Sequence, residues 1–255
     1  MPKLHNIVRK VALELWLRFP WLKQRREIRR NFGRMIKIAT PKNDQLIPRK
    51  ITIREYIDYY HLVEGGRSRK ELLQCLETGC QVLEDLGVEY CVGRGTLLGL
   101  HRDGEFLPAD HDIDIDVYSE KQFFEIIRKM PFDLMVVATD DQCGAFHQLS
   151  FLDRRTNIIF DIWIYREKVS EMVAQMYPGT FRLPKSIYEN RTSINVDGRE
   201  YPVYSPEEYC RYWYGNDYRT PKSYSVDWIP HYERDCQGFT HDPTNVLRVI
   251  KYYES

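Results

Sequence analysis

The segment Asp110-His111-Asp112-Ile113-Asp114-Ile115-Asp116 alternates acid with aliphatic along most of its length. Side chains on a strand point to alternate faces, so Asp112, Asp114 and Asp116 share one face and Ile113, Ile115 and Val117 the other. Carboxylates in such a row repel one another unless positive charge sits among them. A hard divalent cation, Mg²⁺ or Mn²⁺, is the simplest source of that charge, and two carboxylates at i, i+2 can hold one. The ion would in turn hold phosphate oxygens and neutralise charge in a transition state. A solvated edge strand is the plainer alternative, but the aliphatics interleaved with the acids weigh against it.

Just upstream, Gly93-Arg94-Gly95-Thr96 leads into Gly95-Thr96-Leu97-Leu98-Gly99. A turn of this kind between strand and helix lets a phosphate approach backbone N–H groups at Gly95 and Thr96. The same short motif also marks an ordinary tight turn with a helix N-cap. Arg94 and Arg102 flank the glycines and the acidic strand, where either could clamp a diphosphate or simply be a surface charge. A third acid is Asp161, alone inside Ile158-Ile159-Phe160-Asp161-Ile162-Trp163. A buried carboxylate is costly without a partner. Asp161 is therefore a metal ligand, a base, or the partner of Arg154 or Arg155. His111 falls on the opposite strand face and reads as structural. Cys210, His231, Cys236 and His241 lack the close pairs of a zinc site.

Several elements must position these groups. Ser68 with Glu71 is a capping-box pattern, Leu72, Leu73, Leu76, Val82, Leu83 and Leu86 form a helical stripe, and Gly87 stops it. Val88–Val92 reads as a strand running into the glycine turn, Thr96–Leu100 as the opening of a helix, and Asp112–Val117 as the acidic strand. Lys121–Lys129 reads as a helix and Leu134–Ala138 as a strand. His147–Leu152 and Asn157–Ile164 read as strands joined by a turn at Asp153-Arg-Arg-Thr-Asn157. Thr52 with Glu55 caps a helix over Ile51–His61, and Pro41 to Pro48 reads as a loop or linker. Helices mixed with partly hairpin-paired strands predict an α+β domain with a mixed sheet. The expected division is a basic amphipathic arm and linker over 1–48 and a catalytic domain over 49–255.

The chain of 255 residues has no net charge, yet residues 1–50 hold 14 Lys/Arg against 3 Asp/Glu. The remainder, 37 − 14 = 23 basic and 37 − 3 = 34 acidic residues, carries the opposite excess. A basic arm on an acidic body predicts an anionic partner surface. Leu4, Ile7, Val8, Val11 and Leu15 fall at helical spacing, followed by Trp16, Phe19 and Trp21. The apolar run is too short to span a bilayer but suits a membrane interface, making residues 1–35 a candidate for peripheral contact. The alternative is a helix packed on the domain with solvated arginines. No recognised nucleic-acid motif accompanies the charge, so nucleic acid is not expected as a partner. The six cysteines form no CxxC pair and no secretory signal precedes them, so reduced thiols in a cytoplasmic protein are expected. Tyr204, Tyr209, Trp213, Tyr214 and Trp228 could stack sugars or form core.

Together these blocks resemble the LicD/fukutin phosphotransferase family. Gly95–Gly99, Arg102-Asp-Gly104 and Phe106–Asp114 are similar to its GTLLG, R-x-G and IPWDDDIDI segments. Phe160–Trp163 resembles its hydrophobic-DIF segment, and Tyr214–Pro221 its YGxxWxxP segment. Ala109 and Tyr218 stand where the family has Trp, and His111 where it has an acid. The similarity covers roughly residues 70–225. It implies a nucleotidyltransferase-like mixed sheet flanked by helices, with Asp112 and Asp114 as metal ligands and Asp161 as the third carboxylate, ligand or base. Gly95 and Thr96, supported by Arg94 and Arg102, would approach the donor phosphates. The implied reaction moves a phosphorylated alcohol, such as phosphocholine or an alditol or glycerol phosphate, from a CDP-activated donor to a glycan hydroxyl and releases CMP. The acceptor could be lipid-linked. A nucleotidyltransferase releasing pyrophosphate and a non-catalytic glycan- or nucleotide-binding module are the competing readings.

Overall fold

The computed structural model describes residues 37–42, 45–50, 67–108, 110–140, 146–176, 179–222, 229–241 and 247–250. The arm helix, the helix over Ile51–His61, Cys143 and Trp228 lie outside them.

The stretch from Pro41 to Pro48, expected as a loop, instead contributes to two antiparallel strands, β1 (Lys37–Lys42) and β2 (Gln45–Lys50). Lys42 of β1 pairs with Gln45 of β2 at one end of the ladder.

Helix α1 (Arg69–Asp85) carries the expected capping box, Ser68 and Glu71 each bonding the other's backbone N–H. It buries Leu72, Cys75, Leu76, Gly79, Cys80 and Leu83 along one stripe. Strand β3 (Tyr90–Val92) leads into α2 (Arg94–Arg102), which starts two residues before the expected Thr96. Then come β4 (Asp112–Val117), α3 (Phe123–Lys129), β5 (Asp133–Asp140), β6 (Phe146–Asp153) and β7 (Ile158–Ile164). The β6–β7 turn falls at Asp153–Asn157 as expected. Asp153 accepts from the Arg155 N–H at 3.0 Å, and Asn157 takes a positive φ of 54°.

Beyond residue 165 the sequence left the structure unassigned. There lie β8 (Arg166–Glu167), β9 (Glu171–Met176), β10 (Gly179–Pro184), α4 (Lys185–Glu189), β11 (Arg191–Val196), β12 (Arg199–Tyr204), α5 (Pro206–Tyr214), α6 (Ile229–Asp235), β13 (Phe239–His241) and β14 (Leu247–Ile250).

Eight strands form one mixed sheet in the order β11-β12-β3-β4-β7-β6-β5-β14. The β3–β12 and β4–β7 pairs are parallel and the rest antiparallel. Strands β8, β9, β10 and β13 form a smaller sheet. The fold is the expected α+β mixed sheet flanked by helices. Ile113, Ile115 and Val117 of β4 and Phe160 of β7 are buried in the main core, where α1 packs on both strands. A Cβ on Gly79 of α1 would stand 2.3 Å from the Phe160 ring, so only glycine lets helix and sheet close to this distance. Helices α2 and α5 pack on each other, α2 against β4. Tyr204, Tyr209, Trp213 and Tyr214 are buried, and Trp213 stacks on Phe181 at 4.5 Å, so these rings are core and not an open sugar platform. Cys75, Cys80, Cys91, Cys210 and Cys236 are free and buried. Among the described residues no helix is long and apolar enough to cross a membrane.

Candidate active site

The parallel pairing of β4 with β7 sets Asp114 opposite Asp161, Asp112 opposite Ile159 and Asp116 opposite Trp163. Period-two alternation then gathers the acids of both strands on the face away from Ile113, Ile115 and Phe160. One carboxylate oxygen from each of Asp112, Asp114 and Asp161 lies within 4.8 Å of the other two. Asp112 is half-buried, and Asp114 and Asp161 are each 9% exposed. This oxygen-only donor set, at the mouth of a buried row of acids, fits a hard divalent ion.

Each central acid is held by neighbours. The Asp114 N–H donates to Thr96 Oγ1 at 3.0 Å, and its carbonyl accepts from the Gly93 N–H at 3.1 Å. Its Oδ1 accepts from the Trp163 indole N–H at 3.0 Å. Asp161 Oδ1 accepts from the Ser150 hydroxyl, and Ser150 accepts from Gln148 Nε2 at 3.1 Å. Arg154 and Arg155, the arginines considered for Asp161, pair with Asp133 and Asp153 instead.

Burial and mutual repulsion make these groups reluctant to ionise. Burial, and then the Asp112 charge, push Asp114 well above the usual carboxylate range. The same two causes push Asp161 up to about 7 against the opposing hydrogen bonds from Ser150 and Gln148. Asp110 is also raised, by burial and by Asp112 beside it.

The remaining expected site residues divide by depth. Gly95 lies against the acids: a Cβ there would meet Asp114 Oδ2 at 3.7 Å and Asp110 Oδ1 at 3.8 Å. Thr96 is fully buried, its hydroxyl oxygen turned to the Asp114 backbone. Arg94 is 2% exposed and takes a left-handed φ of 46°. Its guanidinium lies over the rings of Trp163, Trp213 and Phe181 at 4.1, 4.7 and 5.0 Å. Nε stands 3.6 Å from Asp116 Oδ1. Asp116 is fully buried and accepts from the Tyr204 hydroxyl at 2.9 Å. Its carboxyl is pushed up to about 6 by burial. Arg102 ends the same nine-residue helix and pairs with Asp103 at 2.6 Å. Cys210 and Cys236 are buried, and the Asp112–Asp114–Asp161 group is the metal-competent cluster found among the described residues.

Sequence reasoning missed Ser150, Gln148 and Trp163. Their signal was faint but present: Gln148 and Ser150 alternate with apolar residues on β6, and Trp163 falls two residues after Asp161, on the same strand face.

Residues 87–206, which contain the whole acidic group and its glycine turn, match the family model described as LicD/FKTN/FKRP, nucleotidyltransferase domain. This stretch is a LicD-type nucleotidyltransferase domain match, which at the coarse level supports a LicD-type transferase. The solved structures similar to the chain include the lincomycin-bound lincosamide antibiotic adenylyltransferase LnuA, with 14% identity over 55% of this chain and 82% of that one and a TM-score of 0.38. The antibiotic-resistance factor ANT(2'')-Ia is 13% identical over 65% of this chain and 83% of that one, with a TM-score of 0.41. An antigenic nucleotidyltransferase-like protein from Paracoccidioides brasiliensis is 15% identical over 58% and 66%, with a TM-score of 0.35. No curated protein matches the chain.

Proposed function

We propose that the chain is a metal-dependent phosphotransferase. It moves a phosphorylated alcohol from a CDP-linked donor to a hydroxyl of a cell-surface glycan or its precursor, and releases CMP. The observation that carries this reading is the convergence of Asp112, Asp114 and Asp161 within a domain of the LicD family.

Asp112 and Asp114 would hold Mg²⁺ or Mn²⁺, with Asp161 as the third carboxylate. A divalent ion bound there supplies charge neutralisation for the donor diphosphate. In the reaction the acceptor oxygen attacks the phosphorus bearing the alcohol. The bond from that phosphorus to the bridging oxygen breaks, and CMP leaves with the electron pair. The acceptor proton needs a base, and Asp161, the third carboxylate of the group, is the candidate. Asp161 therefore serves as ligand or as base. In Asp161→Asn, loss of ion binding marks the ligand and retained binding with lost turnover marks the base. Gly95, beside the acids, is the backbone best placed for donor phosphates. Arg94 is enclosed by rings and Arg102 is paired with Asp103, so the bound ion would carry most of the neutralisation of the donor's charge.

Incubation with a panel of CDP-linked alcohols and glycan acceptors, reading CMP release with and without EDTA, tests the reading. EDTA-sensitive CMP release supports it, and turnover unaffected by EDTA overturns the metal. The family description names a nucleotidyltransferase domain, which favours nucleotidyl transfer as the second reading. Pyrophosphate instead of CMP would establish that one. The basic arm would bring the enzyme to an anionic membrane surface and a lipid-linked acceptor. Equal liposome flotation of the full chain and one lacking residues 1–45 would remove that role.

A further inference from the structure

Two of the three acids present their carboxylates in the same way. Asp114 commits Oδ1 to the Trp163 indole N–H, and Asp161 commits Oδ1 to the Ser150 hydroxyl. Neither donor is free to turn away. The Trp163 ring is clamped by the Arg94 guanidinium 4.1 Å from its centre. The Ser150 oxygen already accepts from Gln148, so its own O–H is directed outward, to Asp161. Both braces come from register. Ser150 faces Asp161 across β6–β7, and Trp163 follows Asp161 by one full pleat on β7.

An oxygen already accepting a hydrogen bond has one lone pair fewer and is the weaker ligand, so each of these carboxylates offers an ion chiefly its other oxygen. Calcium fills its seven or so positions by accepting carboxylates through both oxygens, whereas magnesium keeps six ligands and takes one oxygen from each. We propose that Trp163 and Ser150 are positioning residues that set the ion preference of the acidic site, promoting single-oxygen ligation by Asp114 and Asp161 and so favouring Mg²⁺ or Mn²⁺ over Ca²⁺. This rests on the reading of the three acids as an ion site.

Titration calorimetry of the full chain with MgCl₂, MnCl₂ and CaCl₂, without donor or acceptor, reads the preference directly. The unaltered protein binds Mg²⁺ and Mn²⁺ more tightly than Ca²⁺. Trp163→Phe keeps a ring under Arg94 but frees Asp114 Oδ1, and Ser150→Ala frees Asp161 Oδ1. In each the preference for Mg²⁺ over Ca²⁺ falls by about tenfold, the lower end of what outer partners of metal ligands contribute. Ser150→Thr, which keeps the hydroxyl, retains it. Folding is checked by circular dichroism, and the two variants lie on different strands, so loss of one leaves the other and the unaltered protein to decide. An unchanged preference in both variants, or a preference for Ca²⁺ in the unaltered protein, overturns the proposal while leaving the ion site standing. Absence of any divalent binding overturns the ion site and the proposal with it.

Discussion

Asp114 and Asp161 are register partners on adjacent parallel strands, and both point to the same face of the sheet. Two carboxylates are thereby pressed together where water can do little to separate their charges. The fold tolerates this because something is gained from it, and several consequences are measurable.

Asp112→Ala, Asp114→Asn and Asp161→Asn should each lower transfer by at least about 10²-fold, the scale of losing one preorganised electrostatic group. Asp114→Asn and Asp161→Asn should also raise the melting temperature of the ion-free protein, since each removes a buried like charge while an amide oxygen can still accept from Trp163 or Ser150. Thermal melts beside CMP release test both halves, and a fall in melting temperature for both amides would refute the repulsion.

Stability of the ion-free protein should depend on pH in a definite direction. Asp161 is raised from 3.8 to about 7 and Asp116 to about 6, so in the folded state both bind protons more tightly than in the unfolded chain. Their favourable contribution is complete below about pH 4 and is lost as pH rises through 6 to 7. Melting temperature in EDTA should therefore fall between pH 5 and pH 7.5. Mg²⁺ should reduce that fall by stabilising the ionised acids, and Asp161→Asn should flatten it.

Thr96→Val keeps the shape of a fully buried side chain but leaves the Asp114 N–H without its acceptor. The expected cost is about 1–3 kcal/mol, the desolvation penalty of an unsatisfied buried donor. Thr96→Ser should recover most of it. Denaturant midpoints at constant slope are the measurement.

Arg94→Met leaves Asp116 buried without its cation and should destabilise by about 3–5 kcal/mol. Arg94→Met combined with Asp116→Asn should cost less than the single change, because no charge is left uncompensated. If Arg94 instead contacts a donor phosphate, the single variant will melt normally and lose only donor affinity.

How much of this could be read from the chain varies with distance along it. The α1 capping box, its stop at Gly87 and the β6–β7 turn are local signals, and each fell where the residues placed it. Asp161 was visible because a lone acid in an apolar strand is anomalous. Ser150 and Trp163 were not, because their importance comes only from which strand lies beside which. Arg94 read as a surface or phosphate-facing charge, since nothing near it in sequence announces three aromatic rings contributed by β7, β10 and α5. The Pro41–Pro48 stretch was read as a loop because proline and Asn-Asp dominate its local appearance.

The acids sit on β4 and β7, neighbours in the middle of an eight-stranded sheet, with three strands beyond them on each side. A site on a surface loop can open by a small local excursion, but this one cannot. The Asp114 amide, bonded to Thr96 under the sheet, should exchange its hydrogen with solvent only when the whole molecule opens. Protection at that single amide would then report the global unfolding free energy, and any ligand binding the acids would slow its exchange in proportion to affinity.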